Sequence, residues 1–87
     1  EGLSFSVATL CDATGASDDM VRALVGEGLL QPTGSQPLEW CFDGAALQKT
    51  RRAVRLARYL ELNLAALALV MDLLGEIEHL RARLLRG

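Results

Sequence analysis

Asp12, Asp18, Asp19 and Glu27 place four carboxylates between residues 12 and 27, with Arg22 as the only cation among them. Asp18 and Asp19 follow Ser17, a natural N-cap, so both carboxylates stand at the leading end of a helix. A nucleic-acid reader meets phosphates with several Lys and Arg side chains, and carboxylates at that end would be repelled. The same groups suit a basic protein surface, where charge matching speeds encounter and sets specificity. A plainer role is also open. Carboxylates in a first turn favour the positive end of the helix dipole by roughly a few tenths of a kcal/mol each. Arg22 lies four residues after Asp18, the spacing for an ion pair along one helix face.

Other chemistry finds little support. Cys11 and Cys41 are far apart and lack a CxxC companion, and the single histidine, His79, has no ligand cluster around it. Both cysteines are expected to be buried free thiols, and His79 a solvated or dimer-edge residue. No Ser/His/Asp or Cys/His arrangement, glycine-rich phosphate loop or pair of catalytic acids is present, so no enzyme, metal or cofactor is expected. A net charge of −2 gives no global attraction to nucleic acid or to an anionic membrane. The longest apolar run, residues 64–71, is far short of the ~20 residues that span a bilayer. No signal peptide is visible, and a cytoplasmic protein is expected. The only basic patch is Arg51, Arg55 and Arg58, flanked by Arg52, on one helix face. It reads first as a solvated face, with ion pairs to a partner subunit or residual phosphate contact as sharper alternatives.

The elements that must position these residues follow from caps and periodicity. Ser6 caps a first helix reaching Thr14, and Gly15 supplies the turn. Ser17 starts a second helix with Met20, Val21, Leu24 and Val25 as its apolar face. Gly28, Leu29 and Pro32 end it, completing a helix-turn-helix over residues 10–32. Leu38, Trp40 and Phe42 alternate with Glu39 and Cys41, the period of a half-buried strand, which predicts a small two-stranded wing with Trp40 and Phe42 turned to the core. Asp43 caps a third helix to Leu60, and Asn63 a long last helix to Leu85.

That last helix is apolar on all sides over residues 64–71 and keeps a stripe beyond them. Such a helix has to be covered on more than one side, and 87 residues make a marginal core alone. The expectation is an all-α chain: a winged helix-turn-helix domain over residues 1–62 and a C-terminal dimerisation helix over 63–87, together forming one compact domain. The dimer interface is expected at Leu67, Val70, Leu74, Ile77, Leu80 and Leu84.

Leu10, Gly15, Ser17, Val21, Arg22 and the run Glu27-Gly28-Leu29-Leu30 before Pro32 resemble the helix-turn-helix of MerR-like regulators. Ala23 and Leu24 stand where that family usually has aromatic phosphate contacts, and Glu39-Trp40 replaces the Tyr-Arg pair of its wing. Trp40-Cys41-Phe42-Asp43, Arg52-Ala53-Val54-Arg55-Leu56, Glu61-Leu62-Asn63-Leu64 and Ile77-Glu78-His79-Leu80-Arg81 resemble a narrower family, the chaperone-modulatory (CbpM) proteins. That resemblance implies a dimeric adaptor binding the J-domain of a CbpA-type, DnaJ-like co-chaperone. It would compete there with the chaperone DnaK and restrain the co-chaperone's DNA binding. J-domains typically carry a basic second helix, so Asp12, Asp18, Asp19, Arg22 and Glu27 become the candidate contact residues. No direct nucleic-acid or membrane contact is implied. The alternative is a MerR-type transcriptional regulator that meets DNA through Arg22 and the third-helix arginines.

Overall fold

The computed structural model describes residues 3–86. Four α-helices follow in order: α1 (Val7–Thr14), α2 (Asp18–Gly26), α3 (Gly44–Leu60) and α4 (Leu64–Arg86), with a 3-10 turn at Pro37–Glu39 before α3. Each start is fixed by a side chain that takes an orphan amide. Ser6 Oγ accepts from the Thr9 amide at 3.2 Å and Ser17 Oγ from Met20 at 3.0 Å. Asp43 Oδ1 accepts from Ala46 at 2.9 Å and Asn63 Oδ1 from Ala66 at 2.8 Å. Such a cap is worth about 1 kcal/mol, so the four boundaries are written locally.

The helix ends are equally local. Gly15 turns the chain in the left-handed region (φ 81°), where a side chain is strained, and its amide bonds Cys11 O at 2.8 Å. At the end of α2, Gly28 (φ 81°) donates to Val25 O at 3.0 Å and Leu29 to Leu24 O at 2.9 Å. This paired closure brings Leu29 back against the helix, with Leu24 and Leu30 buried beside it. The core sits where α1, α2, α3 and the first half of α4 meet: Leu10, Val21, Leu24, Phe42, Ala53, Val54, Leu67 and Met71. Thr50 is the one buried polar side chain among the described residues, and its hydroxyl donates to Ala46 O at 2.8 Å.

The two-stranded wing does not form. No strand is present among the described residues, which keep only two isolated antiparallel bridges, Thr33 with Cys41 and Phe5 with Phe42. Pro37 explains the loss. It fixes φ at a helical value and opens a 3-10 turn, in which the Glu39 amide bonds Gln36 O at 2.8 Å and the Trp40 amide bonds Pro37 O at 3.3 Å. Those amides are then spent inside the turn. Only Cys41 and Phe42 remain to pair across, to Thr33 and Phe5 respectively.

The turn also folds tightly on Gly34 (φ 100°), where an added Cβ would stand 2.5 Å from Glu39 O. Alternation survives over its last three residues alone. Phe42 is buried, Trp40 packs on the core with the two rings edge-on at 6.2 Å, and Leu38 is fully out in solvent. The same alternation turns Cys41 outward, so it is an exposed thiol, against the expectation of a buried one.

A candidate protein-docking surface

The outward face of α2 follows from the burial of Val21 and Leu24 on its other side. At about 100° per residue, that burial leaves Asp18, Asp19 and Arg22 facing solvent, with the small residues Ala23 and Gly26 on the same side. Arg22 Nε meets Asp18 Oδ2 at 2.6 Å, the expected pair one turn apart. Both members are about half exposed, so the pair contributes little stability. It does occupy the single cation of the helix and leaves Asp19 without a partner among the described residues.

Asp12 on α1 belongs to the same edge. Burial pushes the Cys11 thiol above its ordinary value, and the nearby charges of Asp18 and then Asp12 push it further. Both carboxylates are therefore close enough to act on one sulfur, and that thiol stays protonated at neutral pH. Glu27 is different. It closes the far end of α2, its amide bonding Ala23 O at 2.9 Å, about 13 Å along the helix from Asp18. The fold brings Asp12, Asp18, Asp19 and Arg22 together and leaves Glu27 apart.

The residues named for the α4 interface also separate. Leu67 has no exposed surface: it is a core residue of its own protomer and has nothing left to offer a partner. Val70 and Leu74 are half-buried, while Ile77, Leu80 and Leu84 are exposed. Leu73, exposed by 54 %, was not among them. It belongs to one outward apolar row: Val70, Leu73, Ile77, Leu80 and Leu84 step by three and four in strict alternation, on the side of α4 facing away from Leu67 and Met71. Leu74 lies a step outside that row.

Arg51, Arg55 and Arg58 are exposed along α3. Among the described residues the ion pairs are Arg22 with Asp18 and Arg52 Nη1 with Glu78 Oε2 at 2.9 Å, so these three arginines are unpaired. No group of three or more His, Cys, Asp or Glu among the described residues could hold a metal, and none of their helices is long and apolar enough to cross a membrane. His79 is exposed on α4.

Four helices in this order, opened by two capped helices joined by a tight turn, define a helix-turn-helix protein. The family model described as MerR HTH family regulatory protein matches residues 5–86. Among curated relatives, a protein of Pseudomonas entomophila (strain L48) is 40% identical over 74 residues, covering 85% of this chain and 73% of that one. A protein of Pseudomonas putida (strain GB-1) is 39% identical over the same coverage. One from Coxiella burnetii (strain Dugway 5J108-111) is 38% identical over 66 residues, 76% of this chain and 62% of its own. All three carry the name Chaperone modulatory protein CbpM. Within the MerR-type class, the chain belongs to the CbpM family of chaperone modulatory proteins. Neither description denotes an enzyme.

Proposed function

We propose that the protein modulates a chaperone system by binding the J-domain of a CbpA-type, DnaJ-like co-chaperone, where it competes with DnaK and lowers co-chaperone activity. The observation that carries this reading is the start of α2. On a scaffold shaped for a recognition helix, Asp18 and Asp19 lead, Asp12 lies alongside, and the lone cation Arg22 is already tied to Asp18. Such an edge repels phosphate and attracts a basic helix. The relatives' name supports the chaperone part of the proposal. Competition needs no chemistry: a J-domain covered by α1 and α2 has no free face for DnaK, and a covered co-chaperone is restrained from DNA as well.

The working form is a cytoplasmic homodimer. Residues 1–62 supply the docking surface, and residues 63–87 the dimer, through the open row Val70, Leu73, Ile77, Leu80 and Leu84. A row of large apolar groups on one helix face is what a second copy of that helix covers.

Calorimetric titration against a purified CbpA-type J-domain tests the proposal. Binding at micromolar concentration is expected, with affinity falling as salt rises. Asp18→Lys with Asp19→Lys should weaken it by about tenfold or more, and Glu27→Lys by much less. Absence of binding would sink the idea. Specific, steeply salt-dependent binding of an operator-like duplex would instead favour the transcriptional role.

A further inference from the structure

Arg51, Arg55 and Tyr59 stand at i, i+4 and i+8 on α3, with Arg58 beside them, so the four side chains share one ridge about 12 Å long. Thr50, Ala53 and Val54 are buried on the opposite side of the helix, which fixes the ridge outward. Like charges one turn apart weaken a helix, yet none of the three arginines has an acidic partner among the described residues. The acidic edge of the molecule forms no ion pair with them: among the described residues its one pair is Asp18 with Arg22. Tyr59 is 82 % exposed at the end of the same ridge, with Leu60 half out beside it. Arg and Tyr are, with Trp, the residue types enriched at the energetic centres of protein interfaces.

We infer that this ridge is a second docking surface, which takes an acidic protein segment: carboxylates along Arg51, Arg55 and Arg58, and an apolar group against Tyr59. The ridge uses none of the carboxylates of α2, although it lies beside them, so either assignment stands without the other. Its position favours a protein segment over nucleic acid. A methyl group at Gly15 would stand 3.4 Å from Arg58 Nη2, so the ridge abuts the α1–α2 turn and the Asp12–Asp18 edge next to it. The phosphate rows of a duplex, spaced by grooves of about 12 and 6 Å, overhang a single helix ridge and would meet those carboxylates. An acidic segment is narrow enough to lie on the guanidinium groups alone. A partner bearing a basic helix and an acidic segment side by side could then engage both edges at once, and a partner of one sign could not.

Fluorescence anisotropy of a labelled deca-glutamate peptide with the whole chain tests the ridge directly. Binding that weakens with salt is expected. Arg51→Glu with Arg55→Glu and Arg58→Glu should lower affinity about tenfold or more, and Arg55→Gln alone by several-fold. Because these positions are solvent-exposed, circular dichroism should show an unchanged helix content. A peptide carrying one added Trp should lose its extra affinity with Tyr59→Ala, and that loss should persist at high salt. Three results would overturn the assignment: no peptide binding at millimolar concentration, equal affinity for the triple variant, or displacement of the peptide by a short DNA duplex or single strand at lower concentration than free oligoglutamate. If the peptide binds as expected while the J-domain does not, the function proposed above fails and the ridge remains.

Discussion

From residue 64 to residue 71, α4 lies against α3 and α2, with Leu67, Ala68 and Met71 buried. From residue 72 to residue 86 it carries no buried residue at all. The first half is wholly apolar, while the second sets Asp72, Glu76, Glu78, Arg81, Arg83 and Arg86 between its apolar residues. Both are rich in Leu, and both repeat apolar residues at steps of three and four. What decides coverage is reach. The helix is about 34 Å long, and the body formed by α1 to α3 covers its first turns only. An apolar stripe therefore tells that a face must be covered. Whether its own chain or another covers it depends on where the neighbouring elements end.

The sharpest test of this contrast is at Leu67. Truncation to Ala would empty a site that is fully buried in one protomer, and a loss of about 2–5 kcal/mol is expected in urea denaturation. That loss should not depend on protein concentration beyond the wild-type dependence. If dilution alone reproduces it, Leu67 is working between protomers and the division of α4 is wrong. In the free half, Leu73→Asp and Ile77→Asp should each lower the mass measured by light scattering at tens of micromolar, while leaving the helical spectrum of the folded body. Leu74→Asp, a step outside the 70-73-77-80-84 row and half-buried against the body, should shift the mass less. A wild-type chain already monomeric at that concentration would remove the seam altogether.

Much of the fold is legible in the sequence, because Ser6, Ser17, Asp43 and Asn63 act within three residues of themselves. The turns at Gly15 and Gly28 are similarly local. The wing failed for a reason that is also local. Alternation from Leu38 to Phe42 outweighed Pro37 in the strand expectation, whereas the backbone spent the amides of Glu39 and Trp40 on a 3-10 turn. The apolar stripe of α4 is a different case. Leu67 and Leu73 are the same residue type six positions apart, and only the placement of α2 and α3 makes one a core residue and the other a surface one. For the proposed docking surface, the carboxylates and the Arg22–Asp18 pair are legible from spacing alone. Glu27 is separated from the others by nine residues of helix, and Tyr59 is exposed because Thr50, Ala53 and Val54 turn the opposite side of α3 to the core.

The smallest expected effect lies at the border between the halves. Arg52 Nη1 to Glu78 Oε2, at 2.9 Å, is the last polar tie between α4 and the body, seven residues beyond the last buried side chain at Met71. Its members are 39 % and 60 % exposed, so Arg52→Gln should cost less than about 1 kcal/mol, an effect that fades in high salt. Hydrogen exchange would show more than a melting curve does. Amides around Leu67 to Met71 stay protected because their helix turn is buried in the core, while amides from Leu73 onward exchange faster once the tie is gone. Equal acceleration in both halves would mean that α4 opens as one unit, and the contrast between a held half and a free half would be one of burial alone.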